Sequence, residues 1–434
     1  MAFALSRESE NGVLLASRAA LTNEFSKLKT NFSTQKWLED TNRLNHNTAK
    51  VIETESFSNN EMKEYIAAST ITHLHDAWNF FGRAVIAILN GDTVSARHMA
   101  YYSELRSAMS ILATEGIGIF SQYHYFIDAN SNSIKIPQKI GTHSMVWAIL
   151  DTWSKQEKAK KLLFNCIKPY NKTLEEWLNA GGVITLNHLT SDIFKSIGID
   201  LQNLAKDHDI RDRLSYRPSS IHVNTNVDWQ TNYKFITNIW KHLEPGFNSL
   251  DLALLKQIID LLHATNNIEK SNQFIDSLLE HMNIGEESKE GLSTYLLSSE
   301  VDDVIIKAIN VNETVDDAIA DDCNHLDVIS RAFLLLRIAT GANNLLMQEA
   351  SVDCSQLDFW WKNIFKIKNI PLENETDEFI MDNLWSDIED IALADIEPWI
   401  NGSIDDLDTM KRELSYATIL LSEGERAMLW GLSK

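Results

Sequence analysis

Three arginines and a histidine within twelve positions are the residues of this chain best suited to chemistry. Arg211, Arg213 and Arg217 precede His222 in the segment IRDRLSYRPSSIH. An arginine can stabilise the extra negative charge of a phosphate transition state, and a histidine can take a proton from an RNA 2′-hydroxyl or protonate a leaving oxygen. The cluster therefore predicts a phosphodiester as the ligand, with Arg211 or Arg217 on the phosphate and His222 as acid or base.

A pair of tyrosines stands near the start of a helical pattern between Arg97 and Phe120. Tyr101 and Tyr102 open this pattern, in which apolar residues recur at steps of three and four with small residues between them. A similar pattern runs from His75 to Leu89, and the turn Asn90-Gly91-Asp92 separates the two. The sequence therefore predicts an antiparallel helical hairpin, whose apolar stripes are first of all packing surfaces.

The composition favours a nearly all-α protein. Proline and glycine number only 6 and 16 among 434 residues, and alternating segments of β-branched residues are few. Long runs of helical period without such breakers are typical of helices, so any sheet should be small. The segment from Asp128 to Gly141, which contains IKIPQKI, is too polar and broken for a helix and predicts a loop or short hairpin.

Familiar cofactor and metal motifs are missing from the sequence. It contains no phosphate-loop, nucleophile-elbow or zinc-helix motif. Cys166, Cys323 and Cys354 are widely separated, which predicts neither a disulfide framework nor a zinc knuckle. His73 and His75 stand two positions apart, which on a helix points them about 200° apart. We therefore predict no cofactor and no metal site.

Charge is distributed unevenly along the chain. Residues 1–250 hold 26 Lys and Arg against 25 Asp and Glu, a net of +1, whereas residues 251–434 hold 13 against 36, a net of −23. An acidic domain repels phosphate backbones, so any RNA should bind the N-terminal half. With the shift of composition near Pro245, this predicts an N-terminal helical segment (1–57), a helical bundle (58–244) and an acidic α-helical C-terminal domain (245–434).

A strongly apolar helix is predicted from Asp327 to Thr340, bounded by Gly341. Its two arginines need partners if the helix is buried. Asp327 stands four residues before Arg331 and can supply one ion pair, whereas Arg337 requires an acid or a carbonyl from another helix.

No apolar run reaches the about 20 residues that a membrane helix needs. The first ten residues, MAFALSRESE, lack the apolar core of a signal peptide. The sequence therefore predicts a cytoplasmic protein without membrane contact.

The segment AYYSELRSAMSIL, which carries Tyr101 and Tyr102, resembles the AYYA-x-x-x-AA-x-x-LL helix of the HEPN family. This family comprises helical-bundle domains associated with prokaryotic nucleotide-binding proteins, toxins and defence ribonucleases. The segment RDRLSYRP is similar to the family's Arg-Asn-x-x-Asp-Tyr or Arg-x-x-x-x-His segment, and His124 falls where many members have a histidine that opens the next helix. The resemblance covers roughly residues 60–225 and implies a HEPN-like bundle followed by a second, acidic helical domain.

In active HEPN members an arginine and a histidine, paired across a dimer, cleave RNA without a metal. The resemblance matches Arg211 to that arginine and Asp212 to the polar residue after it, while Tyr216 occupies the place of the histidine. Arg217 and His222 have the same Arg-x-x-x-x-His spacing six residues later.

Two interpretations stay open at this point. In the first, the protein is a HEPN-like ribonuclease or toxin-like effector in bacterial antiphage defence, with Arg211 or Arg217 on the phosphate of RNA and His222 as acid or base. In the second, it is a non-catalytic helical scaffold or adaptor that dimerises or docks a partner protein. A homodimer or a complex with other proteins is expected in both.

Overall fold

A computed structural model describes residues 4–28, 59–181, 190–216, 228–244, 247–266, 270–310, 325–357, 385–391, 396, 399, 412 and 415–433. Of these residues, 78% lie in helices and 4% in strands. The predicted all-α class with a small sheet is therefore confirmed. None of the described helices is long and apolar enough to cross a membrane.

The helices follow one another along the whole described chain. Those before residue 245 are α1 (Arg7–Leu15), α2 (Arg18–Lys27), α3 (Asn59–Leu89), α4 (Thr93–Thr114), α5 (Thr142–Ser154), α6 (Glu157–Cys166), α7 (Leu174–Ala180), α8 (Thr190–Ser196), α9 (Leu201–Tyr216) and α10 (Trp229–His242). Those after it are α11 (Asn248–Asn266), α12 (Asn272–His281), α13 (Glu286–Leu297), α14 (Asp303–Ile309), α15 (His325–Ala350), α16 (Ser415–Leu421) and α17 (Gly424–Ser433).

Helices α3 and α4 form the predicted antiparallel hairpin at the centre of the molecule. Gly91 takes a left-handed φ of 79° in the turn, and the side chain of Asp92 caps α4 by accepting a hydrogen bond of 2.9 Å from the backbone N–H of Ser95. Helix α15 packs against both members of the hairpin. Polar contacts fix its register, because Trp78 Nε1 donates to Thr340 Oγ1 at 3.1 Å.

A small antiparallel sheet follows the hairpin, with strands β1 (Ile117–Phe120), β2 (Tyr123–Ile127) and β3 (Ser133–Ile136) in that order. Gly116 has a φ of +84°, which a residue with a side chain rarely adopts, and it turns the chain from α4 into β1. Of the three strands, β3 alone lies within residues 128–141, for which the sequence predicted a loop or short hairpin, whereas β1 and β2 precede that segment and were not predicted.

Helix α15 does not stop at Gly341 as the sequence suggested but continues to Ala350. A Cβ atom at Gly341 would lie 2.9 Å from the carbonyl oxygen of Cys166, so this glycine lets α15 approach the end of α6 closely. It serves close helix packing rather than helix termination.

The buried apolar side chains form one cluster that includes Leu5 near one end of the chain and Leu432 near the other. Residues on both sides of position 244 contribute to it, and α15 and α17 both pack on α3. Separate folding of residues 58–244 and 245–434 stays a prediction. Of the predicted N-terminal segment (1–57), residues 1–3 and 29–57 lie outside the described residues.

Substituting Gly82 with alanine should destabilise the protein. Gly82 lies where α3 meets the residues that lead into α17, and a Cβ atom there would stand 2.1 Å from the backbone carbonyl oxygen of Ser422. Backbone must move to relieve such an overlap, so we expect the free energy of unfolding in urea to fall by about 1–3 kcal/mol.

Gly291→Ala is the matched control, since Gly291 lies within α13 and a Cβ atom there meets nothing within 4 Å. Alanine favours a helix over glycine by about 1 kcal/mol, so this variant should be as stable as the wild type or more stable. An unchanged free energy of unfolding for Gly82→Ala would contradict the packing of α3.

Candidate functional site

A group of polar and aromatic side chains meets where α9 packs across α4 and α5. We call it the Arg211 cluster; its members are Tyr101, Tyr102, His143, His208, Arg211 and Asp212. Helix α4 supplies the adjacent tyrosines and the start of α5 supplies His143. Positions 208, 211 and 212 share one face of α9, because residues three and four apart lie above one another on a helix.

Arg211 stands at the centre of the cluster. Its Nη2 donates to His143 Nε2 at 3.1 Å and to the hydroxyl of Tyr102 at 3.3 Å. The guanidinium carbon lies 5.3 and 5.2 Å from the ring centroids of Tyr101 and Tyr102, within the range of cation–π attraction. Asp212 Oδ1 accepts a further bond of 2.5 Å from Nη1. These contacts hold the guanidinium in place while 12% of its side chain stays accessible to solvent.

The contacts of His143 indicate which of its ring nitrogens carries the proton. Arg211 Nη2 lies 3.1 Å from Nε2 and 3.4 Å from Nδ1. Because arginine can only donate, we assign the nearer Nε2 as the acceptor and place the ring proton on Nδ1, which lies 2.8 Å from the hydroxyl of Tyr101. Burial, then the charge of Arg211 and that of His208, lower the pKa of His143 to about 4. His143 is therefore neutral at physiological pH and has the form that a general base requires.

His208 is the second imidazole of the cluster, and its ring centroid lies 5.7 Å from that of His143. Its Nδ1 is 3.3 Å from Asp209 Oδ1, and its Nε2 is 3.7 Å from Asp212 Oδ2. Two carboxylates thus lie beside the ring of His208, whereas Arg211 and two tyrosines surround the ring of His143.

Further aromatic and basic side chains border the cluster along α3 and α4. The ring of Phe80 stacks on Tyr102 with centroids 5.2 Å apart, and the ring of His98 lies 5.1 Å from Tyr102 on another side. One turn farther along α4, Arg106 donates to His73 Nδ1 at 3.1 Å. Burial and the charge of Arg106 lower the pKa of that histidine well below its usual value. Cationic groups and flat rings therefore alternate beside Arg211.

The structure brings together four of the residues that the sequence singled out: Tyr101, Tyr102, Arg211 and Asp212. Tyr216 is the last residue of α9. Arg217 and His222 lie outside the described residues, so their assignment as catalytic groups stays a prediction.

The expectation that His124 opens a helix is wrong. His124 lies in β2 and is fully buried, and its Nε2 bonds to the carbonyl of Ile140 at 2.9 Å. Burial lowers its pKa to about 4 although that hydrogen bond acts in the other direction. His124 links the sheet to the chain that leads into α5.

Sequence reasoning missed both histidines of the cluster. His208 could have been found, because it precedes Arg211 and Asp212 by three and four residues and so shares their helix face. His143 carries no such signal. It is 68 residues from Arg211, and only the packing of α5 against α9 brings the two together.

No protein-family model matches this chain, and neither the curated proteins nor the solved structures include a significantly similar one. Within the described ranges, no three His, Cys, Asp or Glu side chains are grouped so that they could hold a metal ion.

Proposed function

We propose that this protein is a ribonuclease that cleaves RNA without a metal, and that the Arg211 cluster is its active site. The observation that carries the proposal is the contact of 3.1 Å between the Arg211 guanidinium and a neutral imidazole, that of His143. A fixed positive charge beside a base is the arrangement that transfer of a phosphoryl group requires. The ring of His208 lies close enough to serve the opposite face of the same phosphate.

The reaction uses His143 as the base, His208 as the acid and Arg211 as the positive charge. A phosphate oxygen takes the place of His143 as the acceptor for Arg211, which frees His143 Nε2 to remove the proton of the adjacent 2′-hydroxyl. The 2′-oxygen attacks phosphorus, and the bond to the 5′-oxygen breaks as His208 protonates that oxygen. The products are a 2′,3′-cyclic phosphate and a free 5′-hydroxyl. Arg211 stabilises the added negative charge of the pentacoordinate phosphorus.

The wider proposal follows the resemblance to the HEPN family. Helix α4 contains the first segment that carries this resemblance and α9 contains most of the second, and the side chains of Tyr102 and Arg211 lie side by side between them. We infer a component of a bacterial antiphage defence or toxin-like system, whose N-terminal half meets RNA and whose partner is a second copy or another protein. The near-neutral charge of residues 1–250 tolerates RNA, whereas the acidic remainder repels it.

The proposal is tested by incubating the protein with end-labelled tRNA or total RNA in excess EDTA. The wild type should cleave, and Arg211→Ala should lower the rate by about 10²–10³-fold, because one preorganised charge at the phosphate is lost. Arg7→Ala is the control, since Arg7 is exposed on α1 and carries the same charge. Its rate should equal that of the wild type.

Either of two results would contradict the proposal: cleavage that EDTA abolishes, or cleavage that survives in Arg211→Ala. RNA that stays intact in the presence of every natural partner would favour the second interpretation, a non-catalytic scaffold or adaptor. In that case the Arg211 cluster would hold α9 on the hairpin for docking.

A further inference from the structure

Three helix ends meet at a second cluster of reactive groups, on a different set of helices from the Arg211 cluster. His242 is the last residue of α10, Ser249 is the second residue of α11, and Asp302 caps the start of α14. His242 Nδ1 lies 3.2 Å from Ser249 Oγ, and His242 Nε2 lies 2.9 Å from Asp302 Oδ2. A hydroxyl, an imidazole and a carboxylate thus stand in a continuous line of hydrogen bonds.

The direction of these bonds follows from the carboxylate. An ionised carboxylate can only accept, so His242 Nε2 carries the proton and donates it to Asp302, and Nδ1 is left to accept the proton of the Ser249 hydroxyl. Burial acts to raise the pKa of Asp302, but the hydrogen bond from His242 and those from the backbone N–H groups of Val304 and Ile305 outweigh it, and the pKa is lowered. The side chain of His242 is 7% exposed, whereas Ser249 and Asp302 are both half-buried.

The backbone around Ser249 is also suited to an acyl-transfer nucleophile. Helix α11 has 19 residues, and the N–H groups of a helix's first turn have no acceptors within the helix and carry partial positive charge. An oxyanion formed on a carbonyl attacked by Ser249 would develop beside them. Phe247, just before the helix, has a φ of 54°, which is rare for an aromatic residue. Its ring is buried 4.9 Å from the guanidinium of Arg337, which holds this turn in place.

We propose that Ser249, His242 and Asp302 form a second catalytic site, which hydrolyses small uncharged carboxylic esters. Ser249 Oγ bonds to the ester carbonyl carbon while its proton passes to His242 Nδ1, and the alcohol leaves with that proton as the acyl bond breaks. Water then adds to the acyl carbon, gives its proton to His242 and releases the acid, and the serine hydroxyl is restored. Asp302 orients the imidazole throughout.

The charges around the cluster set the substrate class. Asp302 and Asp260 both act on Tyr295, whose pKa burial and these two carboxylates raise to about 12. Asp260 is paired with Lys256, at 3.4 Å, and also with Lys270, and Lys256 bonds further to the backbone carbonyl of Glu300. Asp302 bonds instead to the imidazole of His242, so its negative charge beside that ring disfavours substrates that carry a carboxylate or phosphate.

The test is covalent labelling of the folded, full-length protein with a fluorophosphonate probe. In the labelling step Ser249 Oγ bonds to phosphorus, fluoride leaves, and His242 takes the serine proton. Peptide mapping should find the label on Ser249, and heat-unfolded protein should not be labelled there. Hydrolysis of p-nitrophenyl acetate should show a burst of p-nitrophenol that Ser249→Ala loses.

Asp302→Asn separates catalysis from folding, because asparagine caps a helix as well as aspartate does and preserves the start of α14. We expect it to keep the circular dichroism of the wild type while its labelling rate falls tenfold or more, since the amide no longer fixes the imidazole in the required tautomer. Ser298→Ala, at the end of the neighbouring α13, is the control and should label like the wild type. No label on Ser249, or equal labelling of folded Asp302→Asn, would overturn the proposal.

Discussion

Replacing Arg331 with alanine should lower the free energy of unfolding by about 3–5 kcal/mol, the loss typical when one partner of a buried ion pair is removed. The Arg331 side chain is 2% exposed and makes two hydrogen bonds to Asp207, from Nε to Oδ2 at 2.6 Å and from Nη2 to Oδ1 at 2.8 Å. Its removal leaves the buried carboxylate of Asp207 without this partner in a region that water does not reach. Urea unfolding monitored by circular dichroism measures the effect.

Arg83→Ala is the comparison for Arg331→Ala. Arg83 lies exposed on α3, and its guanidinium carbon lies 5.6 Å from the centroid of the Phe80 ring. Surface substitutions of this kind change stability by about 0.5 kcal/mol or less. If Arg331→Ala were as mild as Arg83→Ala, the pairing of α9 with α15 would be wrong.

A second carboxyl group, that of Glu104, lies within the same buried region, 3.9 Å from Arg331 Nε. Burial and the charge of Asp207 raise the pKa of Glu104 well above its usual value. The raised pKa favours the protonated, uncharged form of Glu104, which reduces the negative charge that Arg331 balances beside Asp207.

The Arg331 pairing also supports the candidate active site. Asp207 immediately precedes His208 on α9, and Glu104 lies one helical turn after Tyr101 on α4. The buried ion pair thus fixes α9 against the core one helical turn before Arg211, on the same face of the helix. A loosened α9 would shift the guanidinium relative to His143, so stability and activity should fall together in Arg331→Ala.

The partners of the two buried arginines show what spacing can and cannot predict. The sequence assigned Asp327 to Arg331 from their separation of four, but the partner is Asp207, 124 residues away. For Arg337 the sequence required only an acid or a carbonyl from another helix, and the structure supplies both, in Asp251 and the carbonyl of Cys166. Burial of a charged side chain creates the need for a partner, and the sequence predicts that need. Which residue becomes the partner depends on tertiary packing.

The secondary structure was likewise predictable only where the local sequence pattern was strong. Helical period and a Gly-containing turn were enough to predict α3 and α4, because a long amphipathic repeat is a strong signal. The strand β1 and the position of His124 were missed, because β1 and β2 have buried residues on both faces and so lack the alternation that identifies a strand. A four-residue strand with one glycine just before it and another within it resembles the end of a helix as much as the start of a sheet.

Four of the six residues of the Arg211 cluster were open to prediction for a similar reason. Tyr101, Tyr102, Arg211 and Asp212 stood out because of their local context, and the resemblance to the HEPN family joined the two segments. His143 is a lone histidine at the start of a helix, and nothing in its neighbours marks it. Its role depends on a tertiary contact with Arg211 and on burial, neither of which a local pattern carries.

Replacing His143 with glutamine should lower the rate of RNA cleavage by about 10²–10⁴-fold, the contribution typical of a general base. Glutamine keeps a carbonyl oxygen that can accept from Arg211, so the guanidinium stays in place and only the proton acceptor is lost. Single-turnover cleavage of end-labelled RNA in EDTA measures this loss. His281→Gln, an exposed substitution on α12, should cleave like the wild type.

The pH dependence distinguishes a catalytic base from a structural histidine. Because the pKa of His143 is lowered to about 4, the imidazole stays neutral as pH falls below 6.5, where an ordinary histidine would take up a proton. The acid limb of kcat/KM should therefore fall near pH 4, and in His143→Gln the residual rate should lose that limb. A limb near pH 6.5, or one that persists in His143→Gln, would place the base elsewhere, and His222 would then be the next residue to substitute.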